Sequence, residues 1–260
     1  MPFTNVSGGG RLYWKLEGLA EAPALVLLNS IGTDMDLWDG MLPALRARFA
    51  VLRIDTRGHG ASAAPPGDYD LAMLADDVRA VMDQAEITTA AVAGVSLGGM
   101  IAMELALAAP ARVSALALIC TSAVMDAAAW NDRIMLIRRE GMASIADLAM
   151  GRFLSPAFIA DHPDVAATVR RQLLAMDPAG YAGCGAAIRD MAVAARLSRL
   201  ACPILVVTGT RDTSTPLAGH GDLLLQHLPT ARHVAIEAAH LAPLEAPDAL
   251  VEALTDFLPH

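Results

Sequence analysis

The chain has 260 residues, 55% of them hydrophobic, which is enough for one α/β domain with an insertion. A formal charge of −9 with no basic run excludes nucleic acid and an anionic membrane surface as expected partners. No apolar run is long enough to span a bilayer, residues 1–7 lack a basic start before an apolar stretch, and Cys120, Cys184 and Cys202 are isolated. A soluble cytoplasmic protein without signal peptide, disulfide framework or zinc site is therefore expected.

Residues 11–17 alternate apolar and polar, the pattern of a half-exposed edge strand. Residues 24–28 (ALVLL) form a continuous apolar run, as in a parallel strand buried on both faces. Leu37, Met41, Leu45 and Phe49 stand at helical spacing, which predicts a helix over roughly 37–48 with Asp34 or Asp36 as the cap. Strands follow at 50–54, 89–95 and 112–120, and a helix is expected over 71–84 and again after Ser96. Between Thr121 and Cys202 no buried-strand run occurs. The segment reads as helices broken at Gly141, Ser155-Pro156, His162-Pro163 and Asp177-Pro178. Strand patterns resume at 203–207 and 232–237, with helices over 217–228 and 248–258. This alternation predicts a mostly parallel, doubly wound sheet in residues 1–121 and 203–260, with 122–202 inserted as a helical cap or lid.

One stretch carries chemistry. An apolar strand ends in Gly94-Val95-Ser96-Leu97-Gly98 and passes into good helix formers, the strand–turn–helix context of a nucleophile elbow. A plain glycine–serine turn is the alternative, and the rest of the chain discriminates between them. Serine acyl transfer needs a base, a group that orients the base, and donors for an oxyanion. Asp212 follows one buried strand and His240 follows the last, so all three residues fall on loops at strand carboxyl ends. His59, in Arg57-Gly58-His59-Gly60, is a rival base but reads as a loop-structuring residue. His162, His220, His227, His233 and His260 have no motif context. Asp34, Asp55 and Asp190 read as caps or ion-pair partners. No metal-ligand spacing and no phosphate-cradling loop is present, so no metal or cofactor is expected.

At this point the chain resembles the α/β-hydrolase superfamily over nearly its whole length. The resemblance rests on the loop Asn29-Ser30-Ile31-Gly32, on Asp55-x-Arg57-Gly58-x-Gly60, on the elbow, and on the Asp212 and His240 loops with Glu245 and Pro247. It implies Ser96 as nucleophile, His240 as base, Asp212 as the orienting acid, and the backbone N–H groups of Ile31 and Leu97 as the oxyanion hole. Asn29-Ser30 stands where many relatives carry His-Gly.

The substrate must be read from the insertion. A helix over 127–140, capped by Asp126 and closed by Gly141, puts Trp130, Ile134 and Ile137 on one stripe with Arg133 and Arg138 on its shoulders. Either an arginine beside this apolar wall grips a substrate carboxylate, or the helix packs on the core and its arginines reach water. The segments Trp130-Asn131-x-Arg133-Ile134, Gly180–Cys184, Ala187–Met191 and Leu28–Thr33 are similar to 3-oxoadipate enol-lactonases, with Gly185 and Ala192 as departures. The resemblance implies hydrolysis of a small anionic enol-lactone in aromatic-compound catabolism, with Trp130, Arg133 and Arg138 as substrate-binding candidates. A broader carboxylesterase, a C–C-bond hydrolase and a non-catalytic binding module are the alternatives. Nothing in the sequence sets an oligomeric state.

Overall fold

The computed structural model describes residues 2–258. Its centre is an eight-stranded sheet in the order β1-β2-β4-β3-β5-β6-β7-β8. The strands are β1 (Phe3–Val6), β2 (Gly10–Gly18), β3 (Ala24–Leu28), β4 (Ala50–Ile54), β5 (Ala90–Val95), β6 (Val113–Ile119), β7 (Ile204–Gly209) and β8 (Arg232–Ile236). The β1–β2 and β2–β4 pairs are antiparallel and the rest are parallel. All six residues of β5 and of β7 are buried, as strands covered on both faces require.

The helices are α1 (Leu42–Arg46), α2 (Leu71–Gln84), α3 (Leu97–Ala108), α4 (Ala127–Glu140), α5 (Ala146–Phe153), α6 (Pro156–Asp161), α7 (Pro163–Ala175), α8 (Pro178–Arg189), α9 (Asp222–His227), α10 (Ala242–Glu245) and α11 (Pro247–Phe257). The expected breaks are used as such. Asp126 caps α4 and Gly141 ends it, while Pro156, Pro163 and Pro178 each open a helix at the position where a missing N–H costs nothing. Helices α4 to α8 all lie in the chain between β6 and β7. No helix among the described residues is long and apolar enough to cross a membrane.

Three expectations are corrected. The 11–17 strand is half-exposed as expected but is not the edge of the sheet: β1 pairs with residues 10–13 and β4 with residues 14–18, and the Trp14 indole N–H bonds the Thr4 hydroxyl at 2.9 Å. The helix expected over 37–48 is a 3₁₀ segment, Met35–Met41, followed by the short α1, which Pro43 restarts. The helix expected from 217 is interrupted where Gly219 adopts φ +83°, leaving α9 as six residues.

Candidate active site

Ser96 sits between β5 and α3 with φ 55° and ψ −116°, a strained conformation for a side-chain-bearing residue. The flanking glycines make it possible. A Cβ on Gly98 would lie 2.2 Å from the Leu28 carbonyl oxygen, and one on Gly94 would lie 2.3 Å from the Gly98 backbone. The turn is held from below. The Ser96 N–H donates to the Ile119 carbonyl at 3.0 Å, and the Thr121 hydroxyl donates to the Ser96 carbonyl at 2.6 Å.

His240 Nδ1 lies 2.9 Å from Asp212 Oδ2. A carboxylate only accepts, so Nδ1 carries the proton and Nε2 is left as the basic nitrogen. Asp212 also accepts from the Ser214 N–H at 2.7 Å, the Thr215 N–H at 3.2 Å and the Thr215 hydroxyl at 2.8 Å. Burial alone would raise its pKa, but its pairing with His240 and these donors hold the carboxyl below the usual range. The Phe153 ring lies parallel to the imidazole, 6.3 Å between centroids and 11° between planes.

Ser96 and His240 line one cavity together with Ile31, Met100, Trp130, Arg133, Arg152, Phe153 and Ile188. Ile31 is on the cavity wall, and Leu97 is the first residue of α3, where N–H groups lack intrahelical partners. The departure at Asn29-Ser30 has a structural use. Asn29 Nδ2 donates to the Ile54 carbonyl at 2.8 Å and its Oδ1 accepts from the Trp38 indole at 2.9 Å, tying the loop to β4.

His59 is a loop residue, and the loop it holds is the one bearing Ile31. Its Nδ1 donates to the Arg57 carbonyl at 3.1 Å, so Nε2 accepts the Gly32 N–H at 3.0 Å. Burial pushes its pKa down to about 4, keeping it neutral. Asp55 braces the same region through the Met35 and Ala61 N–H groups, Asp34 caps the 3₁₀ segment, and Asp190 pairs with Arg189. His220 bonds Ser122 Oγ at 2.8 Å, His233 bonds Thr208 Oγ1 at 2.9 Å, and His162 packs on Phe158. His260 lies outside the described residues.

The two shoulders of α4 face different surroundings. Arg133 reaches the cavity, its guanidinium 4.4 Å from the Trp130 ring centre. Arg138 does not reach it. It is exposed and pairs with Asp68, which also pairs with Arg189 at 3.0 Å, so its place among the substrate-binding candidates is withdrawn. The second cavity arginine is Arg152, in the last turn of α5, exposed on one side and covered on the other. Its pKa is pushed down first by this partial burial and then by the neighbouring Arg133 charge. The departure at Gly185 admits α4. A Cβ there would lie 3.1 Å from Ile134 and 3.5 Å from the Trp130 ring.

A buried serine at a strand–helix elbow, facing a cavity with a carboxylate-paired histidine, is the arrangement of a serine ester hydrolase. Residues 23–247 match the model of the alpha/beta hydrolase fold family, and the chain belongs to that family. It is 34% identical over 238 residues to 3-oxoadipate enol-lactonase 2 of Acinetobacter baylyi, covering 91% of this chain and 89% of the relative. Among solved structures it is similar to a hydrolase from Pseudomonas aeruginosa (42% identity, TM-score 0.95, 99% of this chain and 98% of the other). It is also similar to the enol-lactonase from Burkholderia xenovorans (34% identity, TM-score 0.95, 98% of this chain and 99% of the other).

Proposed function

We propose that this protein is a cytoplasmic enzyme that hydrolyses 3-oxoadipate enol-lactone to 3-oxoadipate, a step of aromatic-compound catabolism, through an acyl-enzyme on Ser96. The observation that carries the substrate class is the pair Arg133 and Arg152. Both face the cavity of Ser96 and His240, and neither has an ion-pair partner among the described residues. Two uncompensated cations in a cavity otherwise lined by apolar side chains and the polar residues Ser96, Ser214, Thr215 and His240 call for an anionic ligand with an apolar body, and a carboxylate bearing a small lactone ring fits that description. The enol-lactonase relatives support the same reading.

Ser96 attacks the lactone carbonyl as His240 Nε2 takes its proton, and Asp212 holds the imidazole tautomer and stabilises the imidazolium. The Ile31 and Leu97 N–H groups, with the N-terminal end of α3 behind them, receive the oxyanion, each donor contributing about 3–4 kcal/mol to the barrier reduction. Collapse opens the ring and expels the enol oxygen, which His240 protonates. The leaving group stays tethered to the acyl chain, so no product departs at this stage. Water activated by His240 then attacks the acyl-enzyme, Ser96 recovers its proton, and the released enol tautomerises to the ketone. Residues 122–202 act as the cap that supplies the cations and shields the acyl-enzyme.

The test is a pair of esters of equal length, one ending in a carboxylate and one in a neutral group. A carboxylate-favouring kcat/KM, with Ser96 as the site labelled by a serine-directed phosphonate, supports the reading. Preference for the neutral ester selects the broader carboxylesterase.

A further inference from the structure

Glu245 closes α10, five residues after His240, and its side chain is only 1% exposed. Burying a carboxylate is costly unless donors surround it. Here they come from three separate parts of the chain. Oε1 accepts the Ser155 N–H at 2.5 Å, and Oε2 accepts the Ser155 hydroxyl at 3.1 Å and the Ala239 N–H at 3.0 Å. The Arg211 guanidinium lies 3.6 Å from Oε2. Ala239 immediately precedes His240, Arg211 immediately precedes Asp212, and Ser155 lies three residues beyond Arg152. One carboxylate thus touches the neighbours of both members of the Asp–His pair and the segment that carries the cation at the cavity rim.

The contact runs further along the two segments. The Leu241 N–H donates to the Phe153 carbonyl at 3.0 Å, and the Phe153 ring lies parallel to the His240 imidazole. Residues 153–155 and 239–241 therefore lie side by side, with Glu245 bonding both. Other ties between the insertion and the sheet domain, among them Asp68 to Arg138 and Arg189, Asp34 to Gln172, Glu104 to Arg196 and Ser122 to His220, involve no residue adjacent to His240.

We infer that Glu245 is a positioning residue that fixes the Arg152–Ser155 segment against the His240 loop, and so sets where the rim cation stands relative to the catalytic base. This rests on the substrate reading above for the role of Arg152, while its effect on His240 stands apart from that role. Replacing Glu245 by glutamine turns one acceptor oxygen into a donor facing a donor, so Gln is a partial substitute and Ala removes the clasp.

The experiment compares wild type, Glu245→Ala and Glu245→Gln, well below their melting temperatures. Two readouts are used: kcat/KM for the carboxylate and neutral ester pair, and the rate at which a neutral phosphonate labels Ser96. A displacement near 1 Å costs up to about 100-fold in rate. Glu245→Ala is expected to lose roughly 100-fold on the charged ester and roughly 10-fold on the neutral ester and on labelling, with Gln between. Should Glu245→Ala fail to fold, Ser155→Ala removes one donor and is expected to lower the charged-to-neutral ratio several-fold. A lower melting temperature with unchanged labelling rate and unchanged charged-to-neutral ratio overturns the inference. A wild-type enzyme with no charge preference overturns the substrate reading alone, and the labelling rates then decide the role of Glu245.

Discussion

The Arg133 guanidinium stacks over the Trp130 indole with 4.4 Å between its carbon and the ring centre. Stacking on an aromatic face limits the side chain's freedom and leaves its N–H edge free for a planar anion. Trp130 itself is buried in the α4 stripe, so the cation stands on a fixed support beside the cavity of Ser96.

Arg133→Ala and Arg152→Ala are each expected to raise KM for the anionic lactone by about 10- to 100-fold, the loss of a charged hydrogen-bonding partner, with a smaller effect on neutral esters. Arg138→Ala, removing an exposed pair with Asp68, is expected to change KM less than about two-fold. Steady-state kinetics on both substrates check the split.

Asp212→Asn exchanges the acceptor that selects the His240 tautomer for an amide and is expected to lower kcat by about 10⁴-fold with the fold intact. Ser96→Ala and His240→Ala are expected to cost about 10⁶-fold each, and the double variant no more, because the residues act as a unit. Single-turnover assays with circular dichroism as a fold control measure this.

His59 gives a pH-dependent contribution to stability. Its folded pKa of about 4 lies below the ordinary 6.5, so between those values the unfolded chain binds a proton that the native one refuses. Stability is retained above pH 6.5 and lost as the pH falls toward 4, by roughly 3 kcal/mol in all. Asp34, pushed up to about 6 chiefly by burial, acts in the opposite sense, since native Asp34 binds the extra proton over the lower part of this range. Urea denaturation of wild type and His59→Gln at a series of pH values isolates the histidine term, because the Asp34 contribution cancels in the difference.

Gly98→Ala places a Cβ 2.2 Å from the Leu28 carbonyl oxygen, and the backbone there cannot yield without moving β3. A loss of about 3 kcal/mol or more is expected. Gly151→Ala, in α5 with nothing within 4 Å of its Cβ, is expected to gain about 0.5–1 kcal/mol. Equilibrium unfolding of the two variants tests the contrast.

The parts that were legible in the sequence are those dictated locally. The elbow needs glycine on both sides of Ser96, helix ends need Asp126, Gly141 or proline, and strands buried on both faces need unbroken apolar runs, as in β3. What was illegible depends on tertiary neighbours. β1 is four residues long and precedes a glycine-rich turn, so only its pairing with β2 defines it. Helical periodicity correctly put Arg133 and Arg138 on opposite shoulders of α4. It could not tell that one shoulder meets the cavity and the other meets Asp68. Arg152 was missed because α5 has eight residues, too few for a clear stripe, and its one available signal was a lone cation among apolar neighbours. Thr121 and Thr215 were missed because their roles, holding the Ser96 carbonyl and the Asp212 carboxylate, arise only from distances in space.

Turnover of 3-oxoadipate enol-lactone itself, followed by loss of its ultraviolet absorbance, tests the central claim most directly. Wild type is expected to hydrolyse the lactone with a higher kcat/KM than neutral aryl esters, and Ser96→Ala to leave the absorbance unchanged over the same interval. Faster hydrolysis of the neutral esters, or lactone turnover that survives Ser96→Ala, would contradict the account.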